Sequence, residues 1–141
     1  LFNTKHRAQQ IAENLTANLK ASENEFRQLF QTVPIPLCYV NNESGKILKT
    51  NEKFSELFGY KQDDIPTLND WWRMAYPEPE YRKWVLKTWN EALKTAAKTG
   101  TQIKSVAYDV TTKSREKRII EISGKVILKP FCSTNAAVVF I

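Results

Sequence analysis

Three β-like runs close the chain, and they constrain its fold more than any other feature of the sequence. They occupy residues 102–112, 117–128 and 135–141. In the first run, Val106, Tyr108 and Val110 alternate with polar or small residues. Because successive side chains of a β-strand point to opposite faces, this alternation places one face on a core. We therefore predict three consecutive strands that share a buried face.

Two shorter strands and two helices are predicted before these runs. The short strands flank a turn rich in Asn, Ser and Gly at residues 41–46. Asn51 can cap a following helix, which ends at Gly59. A longer helix is predicted from Glu78 to Gly100, with acidic residues at its positive N-terminal end and lysines toward its C-terminal end. This order of elements predicts an α+β domain, a five-stranded antiparallel sheet with helices on one face.

The N-terminal segment has a narrow apolar stripe on an otherwise polar helix. Its members fall at three- and four-residue spacing: Ala8, Ile11, Leu15 and Leu19. A stripe this narrow is typical of a coiled-coil seam rather than of a helix attached to a broad core. We therefore predict a coiled-coil-like helix that pairs two copies of the chain as a homodimer.

A boundary between this helix and the folded domain is predicted near Ser22. Residues 1–30 have the pattern of one helix or of two abutting helices. Ser22 followed by Glu25 has the form of a capping box, so a second helix is expected to begin near Glu23. We place a linker helix at residues 1–22 and one folded domain at residues 23–141, a size that suits a single core.

Charge and cysteine usage argue against several classes of function. The net charge of +6 raises the possibility of a nucleic-acid partner, but the basic residues are scattered. The densest group, residues 113–118, includes Glu116 and is typical of a solvated turn. Cys38 and Cys132 lack the spacing of a zinc or redox site, and no apolar run is long enough to span a membrane. We expect a cytoplasmic domain with free thiols, no metal site, no catalytic residues and no nucleic-acid partner.

Residues 23–60 resemble the N-terminal half of a PAS domain. An F-x-x-L-F helix at residues 26–30 leads through proline to the first strand, and a Gly-Lys-Ile turn follows at residues 45–47. The pattern N-x-x-F-x-x-L-F-G-Y then spans Asn51 to Tyr60. With the later strands included, the resemblance extends over about residues 23–141. The turn at residues 111–118 departs from the Asp-Gly that this family often has there.

The resemblance implies a sensory or interaction module of a bacterial signalling protein. Such parents are often sensor histidine kinases or diguanylate cyclases, so the fragment is expected to be regulatory and not itself an enzyme, with its effector domain in the same chain. Related domains hold haem, flavin, small acids or nothing. A module that only pairs protein chains, with no ligand, is the alternative, and the resemblance leaves open whether the parent is attached to a membrane.

Two cofactors of the family are not expected here. Haem commonly needs a histidine on the long helix, but the only histidine, His6, lies in the N-terminal segment. Covalent flavin attachment needs a cysteine just after the helix that begins at Asn51, and residues 57–66 contain none. The identity of any ligand is therefore left unknown.

The candidate ligand contacts come from the segment that covers the cavity in the resembled fold. Arg82 projects onto the apolar face of the long helix, where an unpaired charge would be costly. Its guanidinium is expected to reach Glu78, Asp70 or solvent, or else the carboxylate or phosphate of a ligand. Of Trp71 and Trp72, one should face inward and the other outward, since adjacent side chains diverge. The predicted ligand-binding residues are Arg82, Trp72, Trp71, Tyr76 and Tyr108.

The remaining aromatic residues of this region are expected to serve the core and its edge. Tyr81 and Trp89 share the apolar face of the long helix, so packing on the sheet is predicted for both. Trp84 points away from that face and is expected to meet the short helices, a partner chain or solvent.

Overall fold

The computed structural model describes residues 4–100, 102–128 and 134–141. The chain divides into two compact units, Leu1–Thr32 and Val33–Ile141. The described part of the first unit is one helix, α1 (Thr4–Thr32). The prediction of a second helix starting near Glu23 is wrong, because α1 continues through Ser22 without a break. A serine in a helix interior costs only a few tenths of a kcal/mol, so a capping-box pattern alone does not force an end.

The second unit is the predicted α+β domain. Its five strands form one antiparallel sheet in the order β2-β1-β5-β4-β3. The strands are β1 (Leu37–Asn41), β2 (Ile47–Thr50), β3 (Gln102–Thr111), β4 (Lys117–Leu128) and β5 (Thr134–Phe140). The helices are α2 (Glu52–Phe58), α3 (Leu68–Ala75) and α4 (Pro79–Thr99), with a single 3-10 turn at Gln62–Asp64. None of the helices in the described ranges is long and apolar enough to cross a lipid bilayer.

Asn51 joins the start of α2 to the entrance of β1. Its side-chain oxygen accepts hydrogen bonds from the backbone N–H of Phe54 at 3.0 Å and of Leu37 at 2.9 Å. Its amide nitrogen donates to the Ile35 carbonyl at 2.8 Å. The residue is 1% exposed, so the predicted helix cap is confirmed and is also a buried connection between two elements.

Side chains from elsewhere in the domain bond to backbone groups at both edges of the sheet. At the β3 edge, the Tyr60 hydroxyl donates to the Thr111 carbonyl at 3.0 Å, and the Tyr81 hydroxyl accepts from the Asp109 N–H at 2.7 Å. At the β2 edge, Gln62 donates to the Leu48 carbonyl at 2.7 Å. These three backbone groups of the edge strands are therefore already hydrogen-bonded within the domain.

The turn between β3 and β4 confirms the prediction of a solvated turn at residues 113–118. Its basic side chains form surface ion pairs, Lys113 with Asp64 at 3.0 Å and Arg118 with Glu116 at 3.3 Å. Arg115 has a φ of 71°, in the left-handed region that favours glycine. The Asp-Gly of the resembled family is thus replaced here by a turn whose left-handed position carries an arginine.

Replacing Arg115 with glycine is expected to stabilise the domain. A left-handed conformation costs a residue with a Cβ about 1–2 kcal/mol, and the higher chain entropy of unfolded glycine offsets part of the gain. The free energy of unfolding in urea should rise by about 0.5–1 kcal/mol. Arg115→Ala is the matched control, since it removes the charge but keeps the Cβ. A gain of the same size in that variant would contradict the conformational explanation.

Candidate ligand cavity

A small cavity lies between the sheet and helices α2, α3 and α4. Its volume is about 30 Å³, and every residue that lines it is uncharged. A cavity that holds one water needs roughly 10–15 Å³, whereas pockets for drug-sized ligands run to roughly 300 Å³ or more. The interior of this domain is therefore nearly filled by its own side chains.

Trp71 explains why so little space is left. Its indole lies edge-on to the rings of Phe58, Tyr76 and Phe140, at centroid separations of 5.3, 6.1 and 5.8 Å. It also contacts Phe54 at 5.5 Å. Aromatic pairs prefer such edge-on arrangements, and of these rings Phe54, Trp71, Tyr76 and Phe140 line the cavity.

The two adjacent tryptophans of α3 do not divide as predicted. Trp71 is 6% exposed and Trp72 is partly buried, yet both line the cavity. Adjacent helical side chains diverge by roughly 100°, but such a divergence still lets both indoles border one cavity when it lies between their two directions. The expectation that one of them would face outward is therefore wrong.

Arg82 does not line the cavity. Its Nε donates to the Tyr76 carbonyl at 2.8 Å and its Nη2 donates to the Pro77 carbonyl at 2.9 Å. These carbonyls follow the C-terminal end of α3, where a cation is favoured. The guanidinium thus has acceptors, as expected for a charge on an apolar helix face. These acceptors are backbone carbonyls and not the side chains of Glu78 or Asp70. Contact between Arg82 and a ligand stays a prediction.

Tyr76 and Tyr108 place two hydroxyls in this apolar region. Each residue is 2% exposed and lines the cavity. Burial raises the pKa of Tyr76, while a hydrogen bond with the Trp71 side chain opposes the shift. Burial raises the pKa of Tyr108 to about 12. Both side chains are therefore neutral hydroxyls at physiological pH.

The other aromatic residues lie as follows. Trp89 is 8% exposed and lines the cavity, which confirms its predicted burial. Tyr81 is only partly buried. Trp84 is 47% exposed, so its predicted peripheral position is confirmed, but its ring packs on Tyr108 at 5.8 Å rather than on the short helices.

Cys38 is both a buried hydrophobe and a cavity residue. It is a free thiol, 5% exposed, on the cavity wall of β1. Burial raises its pKa to about 12, so the thiol stays protonated and unreactive at neutral pH. Cys132 lies outside the described residues.

Sequence reasoning missed Leu68 and Val85 as parts of the cavity wall. Their signal was present: Leu68 precedes Trp71 and Trp72 by three and four residues, and Val85 precedes Trp89 by four. These spacings place each set on one helix face. What periodicity cannot reveal is that both faces border the same cavity, because that depends on how α3 and α4 pack.

A five-stranded antiparallel sheet with helices over one face and a small apolar cavity between them defines the class of this α+β domain. A family model described as "PAS domain" matches residues 24–94, which is half of the sequence. The chain belongs to the PAS domain family, whose members are sensory modules of signalling proteins. The resemblance noted in the sequence is thereby confirmed.

Solved structures share this fold at low sequence identity. The PAS domain of a protein from Colwellia psychrerythraea is 14% identical with a TM-score of 0.66, covering 84% of this chain and 93% of that chain. A PAS domain from a two-component sensor histidine kinase is 13% identical with a TM-score of 0.63, covering 85% and 97%.

A third structure comes from a protein of another signalling class. The N-terminal domain of a diguanylate cyclase with PAS/PAC sensor from Marinobacter aquaeolei is 16% identical with a TM-score of 0.57, covering 74% of this chain and 90% of that chain. No curated protein matches the sequence. At these identities the structures establish the fold, and the parent protein is a matter for proposal.

Proposed function

We propose that this PAS domain is the sensory and dimerisation module of a bacterial sensor histidine kinase. It works in the cytoplasm and passes its signal to a catalytic region in the same chain. The observation that carries the proposal is the exposed apolar face of α1. Two features support this assignment: the chain belongs to a family of sensory modules, and α1 carries an exposed apolar stripe that suits helix pairing. A diguanylate cyclase is the alternative parent.

The apolar face of α1 consists of five large side chains that are all well exposed. Their exposed fractions run from 47% to 64%, and they are Ile11, Leu15, Leu19, Phe26 and Leu29. At roughly 100° per residue they share an arc of about 80° on the helix. The rest of the surface of α1 is formed by polar and charged residues and alanines. Large apolar side chains aligned in this way mark a surface that is buried in a protein–protein contact.

The occupant of this face is a second copy of the same helix. Two identical helices in parallel bring identical apolar residues together at each level, so the stripe is complementary to itself. A signal is then transmitted as a shift between two arrangements of the paired helices. Such a shift reaches an effector region without any catalytic group in the domain itself.

The signal that we propose is a small molecule bound between the sheet and the helices. The domain has the cavity, and Trp71, Trp72, Tyr76 and Tyr108 are the predicted contacts that line it. A module that only pairs chains is the alternative, and the small volume of about 30 Å³ favours it. The two versions share the dimer and differ only in whether the cavity takes up a ligand.

Charges placed in the stripe are expected to separate the dimer. The double variant Leu15→Glu, Leu19→Glu puts like charges opposite each other across the pair, which costs several kcal/mol. Dimerisation should weaken by about 100-fold or more, and light scattering after size exclusion should report the mass of a monomer.

The matched control adds the same charges to the opposite side of α1. Ala17→Glu with Asn24→Glu lies roughly 180° from the stripe and should leave the dimer intact. A monomeric mass for the unaltered chain, or equal weakening by both double variants, would disprove pairing through this face.

A further inference from the structure

Tyr108 carries a buried hydroxyl that has no hydrogen-bond partner in the part of the chain that the structure describes. The side chain is 2% exposed and lines the cavity. Buried polar groups are nearly always hydrogen-bonded, and an unsatisfied one costs about 1–3 kcal/mol. A hydroxyl left in this state on a cavity wall points to a partner that is not part of the protein.

The neighbouring side chains do not supply that partner. Tyr108 lies on β3 opposite Ile120, and its ring is 6.3 Å from that of Tyr76. No hydrogen bond joins the Tyr76 and Tyr108 hydroxyls. The Tyr81 hydroxyl accepts a hydrogen bond from the Asp109 N–H at the edge of the sheet and makes none with Tyr108. No described group lies within hydrogen-bonding distance of the Tyr108 hydroxyl, and the cavity that this residue lines is a route by which a partner can reach it.

The cavity selects against charge. Every residue on its wall is uncharged, and Arg82 directs its Nε and Nη2 to the carbonyls of Tyr76 and Pro77. A carboxylate or phosphate in this space would be a buried charge without a countercharge, which is strongly unfavourable. Because the pKa of Tyr108 is raised to about 12, the hydroxyl keeps its proton and is available as a donor.

We propose that the cavity binds a small uncharged molecule with a carbonyl oxygen, such as an amide or a ketone, and that the Tyr108 hydroxyl donates a hydrogen bond to that oxygen. The proposal rests on the sensory function proposed above and narrows its ligand to a neutral class. The volume of about 30 Å³ limits a ligand that leaves the wall in place to a few non-hydrogen atoms. Leu68 and Trp72 are the partly exposed wall residues whose displacement admits a larger one.

Acetamide and acetate provide the direct test, since they have nearly the same shape and differ in charge. Each is titrated into the unaltered chain while amide chemical shifts are followed by NMR, with acetone as a second neutral probe. Acetamide or acetone should give saturable shifts around Tyr108 and the cavity, and acetate should give none. Tighter or equal binding of acetate, or no saturable shift at the cavity with either neutral probe, overturns the proposal.

Tyr108→Phe tests the hydrogen bond itself. Loss of the hydroxyl should weaken binding of the neutral probe about tenfold, the value of one good hydrogen bond. The melting temperature of the unliganded variant should not fall, because the hydroxyl has no partner to lose. Tyr81→Phe is the control, since Tyr81 does not line the cavity, and it should leave the affinity unchanged. Equal affinity in Tyr108→Phe and the unaltered chain excludes Tyr108 as the donor.

Failure of this proposal is distinguishable from failure of helix pairing. The mass of the particle is measured on the same samples, so a dimer without probe binding leaves the pairing function standing and removes the neutral ligand. A monomer that binds acetamide but not acetate supports the neutral ligand and removes the pairing function.

Discussion

Asn51→Ala is expected to lower the free energy of unfolding by about 4 kcal/mol, enough to leave a domain of ordinary stability marginally folded. Loss of a helix cap costs about 1 kcal/mol, and each partly buried backbone group left without its partner costs about 1–2 kcal/mol more. The variant leaves the Leu37 N–H and the Ile35 carbonyl, both in partly buried hydrogen bonds, in that state. Urea unfolding followed by circular dichroism measures the loss.

Asn41 provides the control for this prediction. Its side-chain oxygen also accepts from two backbone N–H groups, those of Glu43 and Ser44, each at 3.0 Å. These groups lie in the exposed turn between β1 and β2, where water replaces the lost hydrogen bonds. Asn41→Ala should therefore cost about 1 kcal/mol or less. Equal losses in the two variants would show that burial does not determine the effect at Asn51.

Gly124→Ala is expected to destabilise the sheet by about 3 kcal/mol or more. A Cβ at this position would lie 2.4 Å from the Ala137 carbonyl oxygen and 3.2 Å from the Val138 Cα. These obstructing atoms belong to the backbone of β5, so no side-chain rotation relieves the clash. Because β5 pairs with β1 as well as with β4, its displacement disturbs the centre of the sheet. The same urea experiment measures the loss.

Gly100→Ala is the matched substitution at a glycine with open surroundings. A Cβ there meets nothing within 4 Å, and its φ of 165° is extended backbone that any residue adopts. The free energy of unfolding should change by less than about 0.5 kcal/mol. A comparable loss at both glycines would mean that the approach of β4 to β5 is not the cause.

The sheet and its helices were predictable because each rests on local pattern. Alternation at Val106, Tyr108 and Val110 reports a strand with one buried face, and Asn51 with Gly59 brackets a helix by the chemistry of its ends. Ser22 shows the limit of the same reasoning. The pattern at Ser22 suits the start of a helix. The residues on both sides of Ser22 also favour a helix, so continuing α1 through this position costs little.

The cavity was less predictable because it depends on packing between elements. Arg82 needs an acceptor wherever it lies, but only the folded chain shows that the carbonyls of Tyr76 and Pro77 come within reach. Likewise, the inward direction of Tyr108 follows from alternation, while its lack of a partner depends on every neighbour around its hydroxyl. The residue types showed that Arg82 needs an acceptor and that Tyr108 faces inward. Which groups they meet depends on the tertiary structure.

The covered sheet edges have a consequence for how copies of this domain can associate. Tyr60 and Tyr81 occupy backbone groups of β3, and Gln62 does the same at β2. A second copy, or an unfolded chain, that tried to extend the sheet would have to displace these side chains first. Strand addition at these positions is thereby disfavoured. The tyrosines thus oppose open-ended association of copies through their sheet edges.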